Sequence, residues 1–152
     1  MIRLSQTRHK IQKITKRRTF KITCNRGVSH EFVRHRVFSF AQESQRYCNY
    51  SKDKFNNELT FIVPHWFKNL NSPDYINDAL EELSYKNYLK QAENMYLDLV
   101  KTKSPQDTRG ILPLCTKSEL VMTGFISDWK HFFDLRTDIA KTGKPHPDLL
   151  TI

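Results

Sequence analysis

The stretch RHRVFSFAQESQRY, residues 34–47, concentrates side chains that bind anionic oxygens. Its three arginines carry planar guanidinium forks that match pairs of phosphate or carboxylate oxygens. Glu43 and Ser44 add an acceptor and a hydroxyl, which suit a ligand with sugar or base groups beside a phosphate. Surface ion pairs are the ordinary alternative explanation for such a run. Spacing alone leads no further than a site for a phosphorylated small molecule.

The cysteines, His35 and Ser44 give no sign of metal binding or nucleophilic catalysis. Cys24, Cys48 and Cys115 are far apart and form no CxxC pair, which predicts free thiols in a reducing compartment and no metal site. His35 lies between two arginines and is expected to be neutral, so that it serves in hydrogen bonding or stacking. Ser44 has no His-Asp pair at a recognisable spacing, and ligand binding is favoured over nucleophilic attack for its hydroxyl.

Strands and helices both flank this stretch. Alternation of apolar and polar residues predicts a half-buried strand over 19–24. After an Asn-Arg-Gly break, apolar residues recur every three or four positions, which predicts a helix over 29–41 with Ser29 as its N-cap. In that helix Arg34 and Phe38 would share a face.

A long amphipathic helix is the most distinct element of the middle of the chain. Residues 59–64 predict a short strand before it, and Ser72-Pro73-Asp74 provides a helix start with Pro in the first turn. The helix is expected to continue to about Lys101, with its apolar stripe in the core. That stripe consists of Ile76, Leu80, Leu83, Leu89, Ala92, Met95, Tyr96 and Leu99.

The last third of the chain predicts three further elements. Ser104-Pro105 begins a very short helix, which Gly110 is expected to close. Residues 117–125 predict a strand, and Ser127 or Asp128 is the expected cap of a final helix. Strands and helices without a regular βαβ alternation indicate the α+β class.

Length and charge limit the classes of function. The 152 residues suffice for one domain with a single modest core, expected over 19–152. No apolar run approaches the roughly 18 residues that span a bilayer, and no secretory leader is apparent, so a cytoplasmic protein is expected. Residues 1–18 hold seven Lys or Arg and no acidic residue, and they carry most of the net charge of +9. They are expected to form a solvated basic tail, without nucleic acid as the main partner.

The stretch RHRVFSFAQESQRY closely resembles the signature of the flavin-dependent thymidylate synthases, in which Arg-His-Arg is followed after seven residues by Ser and then by Arg-Tyr. Gln42 is the one departure, since the family usually has Asn there. Three further segments resemble the family: CNRGVSHEFV before the signature, TRGILP as its Arg-x-x-Leu-Pro element, and WKHFFDLR as its final helix. The resemblance covers about residues 19–140 and implies the fold of that family, an antiparallel sheet with flanking helices.

This resemblance implies the reductive methylation of dUMP to dTMP, with methylenetetrahydrofolate as carbon source, FAD as hydride carrier and NADPH as reductant. It also implies a homotetramer with active sites between subunits. Arg136 is the expected catalytic residue, because a permanent guanidinium against the uracil ring stabilises negative charge at N3 and O2 without a cysteine nucleophile. The residues expected to hold dUMP are Glu31, Arg34, Glu43, Ser44, Arg46, Arg109 and Arg136. Those expected to hold FAD are Arg34, His35, Arg36, Glu43, Ser127 and His131.

Departures from the family pattern leave two alternatives open. The chain is expected to be a shortened, phage-like member, and Phe125, Ser127 and His131 stand where many relatives carry other flavin-binding groups. One alternative is a non-catalytic, nucleotide-binding remnant of the same fold, which would not retain flavin. The other is a small basic protein that binds nucleic acid through residues 1–18, with a steep dependence on salt.

Overall fold

The computed structural model describes residues 16–66, 75–137, 143–145 and 147. Most of the expected basic tail and the expected helix start at Ser72-Pro73-Asp74 lie outside these residues. None of the helices within them combines the length and the hydropathy that a membrane-spanning segment requires. In chain order the elements are β1 (Arg17–Asn25), α1 (Arg26–Phe32), β2 (Ser39–Gln42), a 3₁₀ turn (Asp53–Phe55), α2 (Tyr75–Leu99), α3 (Pro105–Thr108), a second 3₁₀ turn (Arg109–Ile111), β3 (Lys117–Phe125) and α4 (Ile126–Arg136).

A three-stranded antiparallel sheet in the order β1-β3-β2 organises the fold. In β3 every second residue is buried, as expected for a strand with one face on a core. Its pairing with β2 places Ser39 opposite Thr123 and Gln42 opposite Leu120. The predicted strand 117–125 and the predicted α+β class with an antiparallel sheet are both confirmed.

The chain forms two compact units, each with its own buried cluster. The described part of the first unit comprises residues 16–24, 28–42, 119–137, 143–145 and 147, and that of the second comprises 25–27, 43–66 and 75–118. The cluster of the first unit consists of Ile22, Cys24, Val28, Phe32, Phe38, Leu120, Met122, Trp129 and Phe132. That of the second unit consists of Tyr50, Leu59, Tyr96 and Val100.

The predicted helix over 29–41 is wrong in most of its length. Helix α1 begins at Arg26 and ends at Phe32, residues 33–38 form turns, and 39–42 pair with β3 as strand β2. Ser29 is fully buried inside α1 and is not its cap. The helix start is satisfied by backbone instead, because the N–H groups of Arg26 and Gly27 donate to main-chain carbonyls. The apolar spacing that suggested a helix arises because a helix, a turn and a strand each contribute one or two core residues.

The long helix α2 is confirmed, but its apolar stripe is only partly core. Ala92 and Tyr96 are buried, whereas Leu80, Leu83 and Met95 are 58%, 56% and 57% exposed. Within the described residues, the buried cluster of the second unit includes α2 only through its last turns, at Tyr96. Leu80 and Leu83, in earlier turns, therefore stay exposed.

Three boundary predictions need smaller corrections. The predicted strand 59–64 is reduced to a single bridge between Phe61 and Thr116. Ser104 caps α3 as predicted, but Gly110 lies within the 3₁₀ turn that continues it. Helix α4 begins at Ile126, before the expected caps, and the Asp128 carboxylate accepts a hydrogen bond from the Phe125 N–H.

The contact between Phe38 and Gly124 gives a test of the first unit. A Cβ atom on Gly124 would lie 2.2 Å from the Phe38 ring, which is itself packed against Trp129 and Phe132. We expect Gly124→Ala to lower the free energy of unfolding by about 1–3 kcal/mol, because the ring must leave its site. Urea denaturation measures the change. Gly110→Ala is the matched control, since no atom lies within 4 Å of its Cβ position; equal losses in the two variants would contradict the packing described.

Candidate functional site

Arg34 and Arg36 lie in the turns that follow α1, and both are exposed. The turns are closed by backbone hydrogen bonds from the His35 N–H to the Phe32 carbonyl and from the Phe38 N–H to the His35 carbonyl. Among the described residues, neither guanidinium has a hydrogen bond or an ion pair. The expected shared face of Arg34 and Phe38 is therefore wrong, since Phe38 is buried while both arginines face solvent.

Arg136, at the end of α4, is held by two residues that lie more than a hundred positions earlier in the chain. Its Nη1 atom lies 2.6 Å from Oε2 of Glu31 in α1, in an ion pair. Its Nε atom donates to Nε2 of His35 over 3.1 Å. The Arg136 side chain keeps 24% of its surface exposed, so that its remaining N–H groups are available to a ligand.

The surroundings of His35 favour its neutral form, as predicted, but the cause differs from the one expected. Burial lowers its pKa, and the charges of Arg136 and His131 lower it further, against an opposing effect of Glu31. The flanking arginines, Arg34 and Arg36, are not among the causes. Because Nε2 accepts the Arg136 hydrogen bond, the imidazole proton belongs on Nδ1. The neutral ring therefore orients the guanidinium that it contacts.

The other residues expected to bind flavin lie along α4. Ser127 is exposed in the first turn of the helix, and His131 is exposed one turn later. His131 is near enough to His35 for its charge to lower the pKa of that ring. These two side chains, with Arg34, His35 and Arg36, belong to the first unit.

In the second unit, Glu43 has polar partners on both carboxylate oxygens. The Tyr50 hydroxyl donates to Oε1 over 3.0 Å, and the Lys117 ammonium lies 3.8 Å from Oε2. Arg26 donates to the main-chain carbonyl of Glu43 over 3.3 Å. The Glu43 side chain is 12% exposed, so these partners offset the cost of desolvating its charge.

Ser44, Arg46 and Arg109 also belong to the second unit. The Ser44 carbonyl closes a turn by accepting from the N–H groups of Tyr47 and Cys48, which directs the Arg46 side chain outward. Arg46 Nε donates to Gln106 Oε1 over 2.8 Å. Arg109 is exposed in the 3₁₀ turn, and within the described part of the chain its guanidinium has no hydrogen-bond or ion-pair partner.

The sequence pattern missed Tyr50, Lys117 and Gln106. Each contacts a residue of the signature, but none has a spacing that links it to that residue. Tyr50 lies in a polar segment typical of a loop, and only its 5% exposure distinguishes it from Tyr47, which is 75% exposed.

The three cysteines are free, as predicted. Burial raises the pKa of the Cys48 thiol, and the charge of Glu43 raises it further; burial also raises the pKa of Cys115. Both groups therefore remain thiols at neutral pH, which disfavours nucleophilic catalysis by either. Among the described residues, no group of three or more His, Cys, Asp or Glu could hold a metal ion.

Comparison with known proteins shows the class of this chain. Residues 15–142 match the family model described as thymidylate synthase complementing protein, so the chain belongs to that family. Curated relatives are flavin-dependent thymidylate synthases. That of Pyrococcus abyssi is 35% identical over 120 residues, which cover 78% of this chain and 45% of the relative. That of Corynebacterium diphtheriae is 32% identical over 120 residues, covering 74% and 45%. The chain thus spans about half the length of the curated relatives that it matches.

The fold recurs in a solved structure. The crystal structure of the UMP/dUMP methylase PolB from Streptomyces cacaoi, bound with 5-Br dUMP, superposes with a TM-score of 0.72 at 24% identity. The match covers 97% of this chain and 68% of that chain. The antiparallel sheet with flanking helices expected from the resemblance is thereby confirmed.

The pKa of His35 tests which arginine acts on it. We expect NMR titration to give a pKa below the ordinary 6.5, and Arg136→Met to raise it, because a neighbouring cation is removed. Arg36→Met is the control and should leave the pKa unchanged. The pKa of His35 is lower in the folded protein than in the unfolded chain. The free energy of unfolding that neutral His35 contributes is therefore fully present above about pH 6.5 and is lost as the pH falls toward the folded pKa. An equal rise in both variants would show that the flanking arginines govern the ring after all.

Proposed function

We propose that this chain carries out the reductive methylation of dUMP to dTMP, with FAD as cofactor, methylenetetrahydrofolate as carbon source and NADPH as reductant. Membership of the family supports the reaction class. The observation that carries the proposal is the orientation of Arg136 by both Glu31 and His35. The folate and the reductant rest on the family relationship alone.

Arg136 is the proposed catalytic residue. Its guanidinium is fixed through Nε and Nη1, which leaves its other N–H groups to donate to the uracil ring. Donors fixed in place before the reaction stabilise negative charge at N3 and O2 without reorganising. Ring activation of this kind requires no thiolate, in agreement with the raised pKa values of Cys48 and Cys115.

The first unit contains groups that fit a flavin. Arg34 and Arg36 present exposed guanidiniums that have no partner among the described residues, and such forks suit the diphosphate of FAD. His35, Ser127 and His131 would add hydrogen-bonding groups, and Glu43 is proposed as a further ligand. A bound flavin would supply the hydride for the reduction.

For dUMP, the proposed ligands are those that the family resemblance implies. Glu31, Arg34 and Arg136 belong to the first unit. In the second unit, Arg46 and Arg109 would bind phosphate oxygens, while Glu43 and Ser44 would bind hydroxyl or N–H groups of the nucleotide. Gln106 restricts Arg46 through its hydrogen bond, which reduces the entropy lost when the phosphate binds.

The proposal extends to organisation and location. We place the reaction in a cytoplasmic homotetramer, in which residues 19–152 form a single family domain and 1–18 a basic tail. Free cysteines support a reducing compartment. Exposed apolar side chains along α2, such as Leu80, Leu83 and Met95, support burial against other chains.

Absorption spectroscopy of the purified protein tests both ligands together. We expect an oxidised-flavin spectrum after incubation with FAD, and a change in that spectrum when dUMP is added, because both ligands share one site in the proposal. The proposed function would be overturned if the protein stays colourless after incubation with FAD, or if its flavin spectrum does not change when dUMP is added. Binding of dUMP without flavin would indicate the non-catalytic remnant instead.

Arg136→Lys tests the catalytic assignment. Lysine retains the charge but loses the planar fork and the two fixed contacts, so we expect dTMP formation to fall by about 10²–10³-fold. Arg18→Lys is the matched control, because among the described residues the exposed Arg18 guanidinium donates only to the neighbouring Arg17 carbonyl. Equal rates in the two variants would remove Arg136 from the catalytic role.

A further inference from the structure

The Tyr50 hydroxyl is a buried donor for which the proposed reaction gives no role. The residue is 5% exposed and lies in the buried cluster of the second unit. Its ring contacts Phe55 and Tyr96, at centroid distances of 5.0 and 5.8 Å. These aromatic contacts fix the ring, and the ring in turn fixes the direction of the hydroxyl.

That hydroxyl has a single acceptor within the described residues, Oε1 of Glu43. Burial raises the pKa of Tyr50, and the charge of Glu43 raises it further, so the phenol is a donor at every physiological pH. A hydrogen bond from a neutral donor to a charged carboxylate is stronger than one between neutral groups. Tyr50 therefore restricts the rotation of the Glu43 carboxylate.

The second oxygen of that carboxylate faces the Lys117 ammonium, and the Cys48 thiol is a further hydrogen-bonding neighbour of Glu43. Oε2 of Glu43 lies 3.8 Å from Nζ of Lys117, which is longer than a hydrogen bond but close enough for ionic attraction. Glu43 thus presents an acceptor beside a cationic donor. A hydroxyl group, or the N–H and carbonyl of a base, would match such a pair.

We infer that Tyr50 is a positioning residue for nucleotide binding, which orients the Glu43 carboxylate so that its Oε2 oxygen accepts a hydrogen bond from the substrate. The inference rests on the proposed function, since it assumes that Glu43 contacts dUMP. It adds Tyr50, a residue that lies outside the signature and inside the buried cluster of the second unit.

Tyr50→Phe isolates the hydroxyl, because the ring contacts remain. With the FAD-loaded protein, titration with dUMP followed by the flavin spectrum should show an affinity about tenfold lower, as expected for a misdirected charged hydrogen bond. Tyr96→Phe is the matched control, since Tyr96 is also a buried tyrosine, but its hydroxyl bonds to backbone groups of Cys48 and Tyr50 and to the Thr108 side chain, not to Glu43. Its dUMP affinity should equal that of the unmodified protein, and both variants should retain flavin.

A double-mutant cycle separates positioning from general damage. If Tyr50 acts through Glu43, adding Tyr50→Phe to Glu43→Ala should cause no further loss of dUMP affinity. A further tenfold loss in that background, or an unchanged affinity in Tyr50→Phe alone, would overturn the inference. No response to dUMP in the unmodified protein would overturn the proposed function, which distinguishes the two failures.

Glu43→Asp provides a second route if Tyr50→Phe does not fold. Aspartate keeps the charge but withdraws the carboxylate by one methylene from the fixed tyrosine hydroxyl. We expect a similar loss of dUMP affinity, measured on protein that has been loaded with FAD. Full affinity in Glu43→Asp would show that the carboxylate position does not matter and would overturn the role assigned to Tyr50.

Discussion

The packing of the Phe38 ring against the backbone of Gly124 is the constraint on which the first unit depends. The ring occupies the space that any side chain at position 124 would need, and it contacts Trp129 and Phe132 of α4. One aromatic side chain thereby joins the signature turn, the central strand and the last helix. The positions of His35 in the turn and Arg136 at the helix end follow from that junction.

The arginines of the candidate site form two physical classes. Arg136 and Arg46 are held by hydrogen bonds to Glu31, His35 and Gln106, so they lose little entropy on meeting a ligand. Arg34, Arg36 and Arg109 are exposed, without ion-pair partners in the described part of the chain, and their side chains must be ordered by whatever anion they bind. A fixed guanidinium suits charge stabilisation during a reaction, whereas a mobile one suits capture of a flexible phosphate.

Local pattern predicted some elements well and failed where tertiary contacts decide. The strand 117–125 was predicted at its observed bounds, because its alternation reflects one buried face. The helix over 29–41 was wrong, because backbone pairing of β2 with β3 outweighs a spacing that only resembles a helical stripe. The resemblance named candidate site residues but not their contacts. The Glu31–Arg136 pair joins residues 105 positions apart, and no local pattern reports such a contact.

The contact between Phe38 and Gly124 also has an evolutionary consequence. A side chain at position 124 requires a smaller residue at 38, while a smaller residue at 38 alone leaves a void beside Trp129 and Phe132. Each single change is expected to lower stability, whereas the double change restores the volume. The two positions are therefore expected to covary among homologues, and to mark lineages in which the last helix has been repacked.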